Sequence, residues 1–294
     1  MNISYHDPVL LNEIKDIFGD IKNNKYIDCT IGDGGHSLEL LKQGGIVLGI
    51  DTNELSLKRA TSRFMDLGLS ENFIPVLDNF VNLNKICEKF NFFGVSGILY
   101  DLGYSSYQLD QSDIGLSFLK DNPLDMRLNK SLGVTAMDLV NALPEKQLAQ
   151  IIFNYSQEAL ARKFARAIVN SRSLKKIETT KQLADIIASQ ASLGYEKGRI
   201  HPATRTFQAL RIVVNNEIEN LSISLPQASH LLPPGGKIVV ISFHSLEDKI
   251  VKQFVQGAGP NIKMITKKPI VPTTQEITRN PRSRSAKMRV LIKI

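Results

Sequence analysis

The sequence predicts an α/β fold, with one parallel sheet interrupted by a helical insertion. Three observations predict it. Short apolar runs alternate with helical stretches over the first hundred residues. The alternation stops between residues 108 and 205, where helical periodicity dominates. It resumes at Lys237, late in the chain. Near-continuous apolar strands joined by helical crossovers require a sheet covered on both faces. If the late strands join the first sheet, a simple succession of α/β and all-α domains is excluded.

Each element has a local reason. Tyr26-Ile27-Asp28-Cys29-Thr30 reads as a strand that ends in the turn Gly32-Asp33-Gly34-Gly35. His36 to Lys42 is a helix closed by Gly44-Gly45. Ile46 to Ile50 is a second strand, tipped by Asp51, and Glu54 to Met65 is helical. Asn72 to Leu77 is a third strand and Val81 to Phe90 a helix. Val95 to Tyr100 is a fourth strand, tipped by Asp101. Pro144 to Asn154, Gln157 to Asn170 and Thr180 to Ser189 then show helical spacing, the last capped by Thr179 or Thr180. After Pro233-Pro234-Gly235-Gly236 comes the strand Lys237 to Phe243. Ser245 and Asp248 have capping-box spacing and open a helix over Leu246 to Gln256. Lys263 to Thr266 and Lys287 to Ile294 are the last strands. The expected domains are residues 1–107 joined with 206–294, and an insertion over 108–205.

Composition narrows the class. The hydrophobic content of 43% supplies a substantial core, so whole-chain disorder and collagen-like repeats are excluded. No apolar run has the length of a membrane span. The start, MNISYHDPVL, has no basic region followed by an apolar one, so no signal peptide is expected. Cys29 and Cys87 are isolated, which gives neither a disulfide framework nor a zinc site; a reducing cytoplasm is the expected compartment. Charge is unevenly spread. Lys249 to Ile294 holds eleven Lys or Arg against one acid, Glu276. That segment carries +10 of a chain total of +7, leaving the rest at −3. Arg162 to Lys176 holds six Lys or Arg and no acid. Such clusters point to nucleic acid, against the alternative of a solvated face.

The Gly32–Gly35 turn lies between a strand and a helix, where glycines let a ligand approach the backbone. Asp51 at the next strand tip suits ribose hydroxyls, the alternative being a cap for the following helix. A dinucleotide fingerprint would place Gly at position 37, which is Ser37 here. A phosphate-free adenosine ligand such as S-adenosylmethionine fits as well. Phe80, past the third strand, is placed to pack on adenine or into the core.

Seven motifs in order carry a resemblance. They are His6-Asp7-Pro8-Val9-Leu10, Gly32-Asp33-Gly34-Gly35-His36-Ser37, the run Asp101 to Asp110, Pro123-Leu124-Asp125-Met126-Arg127, the run His201 to Gln208, the run Ile241 to Asp248, and the run Asn280 to Ser285. Over almost its whole length the chain resembles the ribosomal RNA small subunit methyltransferase H (RsmH/MraW) family. These are bacterial enzymes that N4-methylate a cytidine in the decoding centre of 16S rRNA. The resemblance implies a class I S-adenosylmethionine-dependent methyltransferase fold, Rossmann-like, with a mostly parallel seven-stranded sheet and an inserted all-helical domain for substrate recognition. It implies S-adenosylmethionine as cofactor, no metal, and 16S rRNA in the small subunit as partner. Carried over by motif, the cofactor contacts fall on Gly34, Gly35, His36, Asp51, Phe80, Asp101 and Gln108. Tyr104 and Tyr107 stand where the family has Val and Pro, and Tyr155-Ser156-Gln157-Glu158 where it has Tyr-Gly-Glu-Glu.

Methyl transfer to an exocyclic amine needs acceptors on its N–H groups. Asp101 at the sheet edge is the catalytic candidate, with a purely cofactor-binding role as the alternative. Backbone carbonyls of the Leu102–Ser106 loop are the second acceptor candidates. The target base must leave its stack, and Tyr104, Tyr107 or Phe243 can hold it, each with core or loop packing as the alternative. His201 and Arg205 either touch RNA or brace the domain junction. Asp125 and Arg127 read as structural. Arg279, Arg282 and Arg284, set among Asn, Pro and Ser, suit phosphates. The His244-Ser245 pair has no third orienting group, so hydrolase chemistry is rejected. Two rivals remain: a nucleotide-dependent oxidoreductase, and an RNA-binding assembly factor that has lost turnover.

Overall fold

A computed structural model describes residues 5, 7–103 and 113–294. The chain divides into two compact units, one of residues 1–105 with 218–294 and one of residues 106–217. The second crossing between units therefore lies at 217/218, beyond the expected 205/206. The cause is a helix over Ala203–Val214, whose buried Ala203, Phe207, Leu210 and Val214 join the core of the second unit. Among the described residues no helix is long and apolar enough to cross a membrane.

The first unit is built on seven strands: β1 (Lys25–Asp28), β2 (Ile46–Asp51), β3 (Phe73–Leu77), β4 (Val95–Asp101), β5 (Lys237–Ser242), β6 (Ile262–Met264) and β7 (Lys287–Lys293). They form one sheet in the order β3-β2-β1-β4-β5-β7-β6. Every pairing from β3 through to β5 is parallel, and only β7 runs against its neighbours. The late strands thus join the early sheet, through β5 beside β4.

Alternation explains why these strands are apolar throughout. Ile27, Leu48, Ile50, Ile98, Tyr100, Ile238 and Val240 enter one core. Tyr26, Val47, Leu99, Val239 and Ile241 enter the other, on the opposite face. Helix α1 (Leu11–Phe18) precedes β1, and α2 (Gly35–Lys42), α3 (Glu54–Asp66) and α4 (Leu83–Lys89) follow β1, β2 and β3; Phe18, Leu38, Leu57 and Ile86 seal the two cores. Asn53 caps α3 by accepting from the amides of Leu55 and Ser56. A 3-10 turn, Phe80–Asn82, precedes α4, so that helix starts later than its spacing suggested.

The second unit is helical: α5 (Ala136–Ala142), α6 (Glu145–Ser156), α7 (Ala161–Leu174), α8 (Thr180–Ala188) and α9 (Ala203–Val214). Leu139, Leu148, Ile152, Phe164, Ile168, Leu183 and Leu210 fill its core. Capping boxes open α5 (Thr135 with Asp138) and α8 (Thr179 with Gln182). Gln157 does not begin a helix, as its spacing predicted. It adopts the left-handed conformation (φ 56°) and ends α6, so α7 starts four residues later. Asp125 and Arg127 pair at 2.7 Å, and Arg127 also reaches the carbonyl of Leu132. The pair staples the loop that leads into α5.

The chain returns to the first unit through α10 (Glu217–Leu231), and then β5, α11 (Ser245–Gly257), β6, α12 (Thr274–Arg279) and β7. Ser245 is not the cap of α11. His244 is: its Nδ1 accepts the amide of Glu247, whose carboxylate returns to the backbone N–H of His244. Arg289 on β7 is buried against Asp248 at 2.7 Å, so this member of the basic C-terminal run braces the core.

Candidate active site

Three strands end in carboxylates at one edge of the sheet: Asp28 on β1, Asp51 on β2 and Asp101 on β4. Parallel pairing brings their tips together, because β1 lies between β2 and β4. Between β1 and α2 the chain makes a tight turn. Gly34 has φ +76°, and a Cβ there would stand 2.4 Å from the Phe64 ring. A Cβ on Gly35 would meet Pro8 at 3.1 Å. Glycine is needed at Gly34 by both conformation and space. Below the turn, Arg59 grips Asp33 with two hydrogen bonds and Arg63 holds its carbonyl.

The three carboxylates differ. Asp28 is buried and accepts from the Ser37 hydroxyl (2.7 Å) and the Thr30 amide (3.1 Å). Burial pushes its pKa up to about 6 despite those bonds. Asp51 accepts the amide of Asn53 at 2.7 Å and that of Gly32 at 2.9 Å. It therefore clamps the glycine turn to the β2 tip. Burial raises it to about 6, against the pull of these amides. Two oxygens with four lone-pair sites leave it room for a ligand diol as well.

Asp101 has the least support. Its backbone amide is held by the Thr30 hydroxyl at 2.6 Å, but its buried Oδ1 has no hydrogen-bond partner among the described residues. Burial, and then the charge of Glu247, raise its pKa to about 7. An orphaned carboxylate oxygen at a sheet edge is a group awaiting a donor. Beside it lies His36, in the first turn of α2. Its Nε2 is 2.8 Å from the Val9 carbonyl, an acceptor only, so Nε2 carries the proton. Nδ1 is then a bare lone pair 3.6 Å from Asp101 Oδ2. Burial lowers the His36 pKa and keeps the ring neutral.

Glu247 was not singled out by sequence reasoning. It is buried, and its Oε2 accepts the amides of Phe243 (2.8 Å) and His244 (3.2 Å). It fixes the segment after β5 and raises Asp101. The available signal was its position three residues after His244, at a strand-to-helix turn.

The other predicted residues fall in several places. Phe80 is half-buried, with its ring edge-on to Tyr100 at 5.5 Å, close to the β4 tip. Phe243 is partly buried beside Gly103. Tyr104, Tyr107 and Gln108 lie outside the described residues. Arg279 makes an exposed contact with Asp7 at 3.5 Å. Arg282 and Arg284 are exposed on a 3-10 turn, Pro281–Ser285, rather than an irregular loop. In the second unit, His201 stacks on Phe118 at 4.7 Å. Arg205 is engaged with Glu196 at 2.7 Å and faces the buried Glu158 at 4.0 Å.

The glycine cradle, the diol-ready Asp51 and the orphaned Asp101 oxygen fit an adenosine ligand carrying an amino-acid tail. They provide a close backbone approach, an acceptor for hydroxyls and a free anion for a cationic or N–H group. None of the three strand-tip carboxylates requires a phosphate.

The model of the MraW methylase family matches residues 3–294. Ribosomal RNA small subunit methyltransferase H of Dehalococcoides mccartyi is 43% identical over 98% of this chain and 86% of that protein. The protein of that name from Carboxydothermus hydrogenoformans is also 43% identical, over 98% of each. A solved structure described as an rRNA-methylase from Clostridium thermocellum superposes with a TM-score of 0.50, covering 99% of this chain and 100% of that one. At 14% identity it speaks for the fold alone, a class I S-adenosylmethionine-dependent methyltransferase fold. With the family pattern running from end to end and relatives this similar over nearly the full chain, the protein belongs to the MraW methylase family.

Proposed function

We propose that this chain methylates N4 of a cytidine in the decoding centre of 16S rRNA, within the small ribosomal subunit in the cytoplasm. The observation that carries the reading is Asp101: a β4-tip carboxylate whose buried oxygen lacks a partner among the described residues and whose pKa burial raises to about 7. Its supports are the family and the relatives named for small-subunit rRNA.

Gly34, Gly35, His36, Asp51, Phe80 and Asp101 are the described residues that would hold S-adenosylmethionine, and Gln108 joins them by motif. When bound, it supplies an electrophilic methyl group on a sulfonium. The difficulty for the protein is the acceptor, because the N4 lone pair of cytosine is delocalised into the ring. Asp101 Oδ1 accepts one N–H of the amine and turns the lone pair out of conjugation. The N–C bond would form as the methyl's bond to sulfur breaks, its electron pair leaving on a neutral thioether, and the Asp101 carboxylate would accept the N4 proton that the methylated amine gives up. A pKa near 7 suits both parts of that role. Neutral His36 offers Nδ1 as an acceptor beside Asp101. The target base leaves its stack to reach the site, held by Phe243 and by Tyr104 or Tyr107. Arg279, Arg282 and Arg284 take phosphates, positioning rather than reading the RNA. Arg205, ion-paired with Glu196, braces the helical unit, and the exposed His201 is a candidate RNA contact.

The test is transfer of labelled methyl to small subunits lacking the modification, followed by nucleoside mass spectrometry. N4-methylcytidine is the expected product. A different methylated nucleoside, or no incorporation by a chain that binds cofactor, overturns the reading.

A further inference from the structure

The basic run on α7 is not used by the site above. The buried residues of that helix are Ala161, Phe164, Ala165 and Ile168, at helical spacing. The opposite face is therefore Arg162, Lys163, Arg166 and Asn170, all exposed. With Ser189 and Gln190 from the turn after α8, they line an open groove of about 600 Å³.

Two features separate this groove from an ordinary solvated face. The first is where the cations sit. Arg162 and Lys163 occupy the first turn of α7, which holds no acid and has no side-chain cap. Cations at a helix N-terminus oppose the helix dipole, so local stability does not account for them. The second is the shortage of counter-charge. Arg166 keeps one loose, exposed contact with Glu145 at 3.5 Å. Arg162 and Lys163 have no hydrogen bond or ion pair among the described residues.

We infer that the α7–α8 groove binds the sugar–phosphate backbone of RNA, as a second anchor separate from the strand-tip site. This rests on the proposed rRNA substrate. Guanidinium forks and an ammonium take phosphate oxygens. Asn170, Ser189 and Gln190 supply donors and acceptors for 2′-hydroxyls. Arg162 and Arg166 stand one turn apart, about 6 Å along the axis, which lets them take successive phosphates rather than one. An acidic protein segment fits less well. Ile186 and Ala167 are the only apolar lining, whereas protein interfaces have apolar, aromatic-rich centres.

The test is the triple variant Arg162→Gln, Lys163→Gln and Arg166→Gln, with Arg162→Glu as a second. Filter retention on small subunits and on naked 16S rRNA reads binding without needing methyl transfer. The expected result is about tenfold weaker binding to both RNAs. The slope of log affinity against log salt should be shallower by roughly two to three. KM for subunits should rise with kcat and cofactor affinity unchanged. The Tm should be equal or higher, because two cations leave the helix N-terminus. Unaltered affinity and slope overturn the inference. Loss on subunits but not on naked rRNA overturns it too, in favour of an acidic protein partner. Binding through the groove without any methylation would overturn the proposed function and leave the groove standing.

Discussion

His36 Nδ1 stands 3.6 Å from Asp101 Oδ2, and burial displaces both groups toward neutrality, the imidazole by lowering its pKa and the carboxyl by raising it. Two groups that would ordinarily form an ion pair are therefore held as a poised carboxyl beside a neutral ring. If Asp101 must be ionised to accept the amine proton, kcat should climb as pH rises through about 7 and then level off. Asp101→Asn should abolish that limb and slow single-turnover transfer by at least two orders of magnitude at saturating cofactor, on the order of general base catalysis. Equal single-turnover rates would remove Asp101 from the chemistry.

The same shift has a stability consequence of opposite sense. The folded pKa of Asp101 lies above its unfolded value, so between about 4 and 7 the native state binds more protons than the unfolded one. Stability from this group is present at low pH and is lost as pH rises through about 7. Asp101→Asn should raise Tm by a few degrees at pH 8 and leave it unchanged at pH 4. Thermal melts at the two pH values decide the matter, and a lower Tm at pH 8 would refute the assignment.

Asp51 clamps the glycine turn and is the proposed partner of a ligand diol. Asp51→Ala should weaken S-adenosylmethionine binding about 10–100-fold, the worth of one or two hydrogen bonds to a charged group. Titration calorimetry reads it directly, and an unchanged Kd would leave Asp51 with only its structural role.

Gly34→Ala should cost about 1–3 kcal/mol of stability, because the new methyl meets Phe64 at 2.4 Å and the backbone is left-handed. Gly34→Ala with Phe64→Leu should recover part of that loss by freeing the space. Urea denaturation of the single and double variants provides the comparison. No recovery would mean that conformation alone sets the cost.

Neutralising Arg282 and Arg284 together should reduce the salt slope of subunit binding by roughly 1.5–2. An unaltered slope would place the 3-10 turn away from the RNA.

The parts legible in the sequence are those where periodicity and punctuation agree. β1 to β4 each end within two residues of the end their apolar runs predict, and the glycine turn lies where strand gives way to helix. Elsewhere, competing local signals hid the answer. Ser245-x-x-Asp248 and His244-x-x-Glu247 share capping-box spacing. Residue preference favours serine, yet Glu247 reaches two backbone amides from a buried position, and that tertiary fit selects histidine. Apolar spacing runs straight past Gln157, and nothing in an amide side chain announces the left-handed turn that ends α6. The raised pKa of Asp101 was illegible for a similar reason. It depends first on a burial that only the assembled sheet creates, and then on Glu247, 146 positions further on in the chain.

β4 carries Val95, Ile98, Leu99 and Tyr100, all buried between β1 and β5. During synthesis these two neighbours do not arrive together. β1 precedes β4, but 135 residues separate Asp101 from Lys237. At ribosomal speeds of about 5–20 residues per second, the growing chain leaves the β5-facing edge of this hydrophobic strand unpaired for roughly 7–27 seconds. The helical segment made in that interval has its own core and can close first, but among its described residues there is no strand that pairs with β4. The nascent protein is therefore most open to edge-to-edge aggregation before its last fifth is made, and a folding helper that shields β4 would act in that interval.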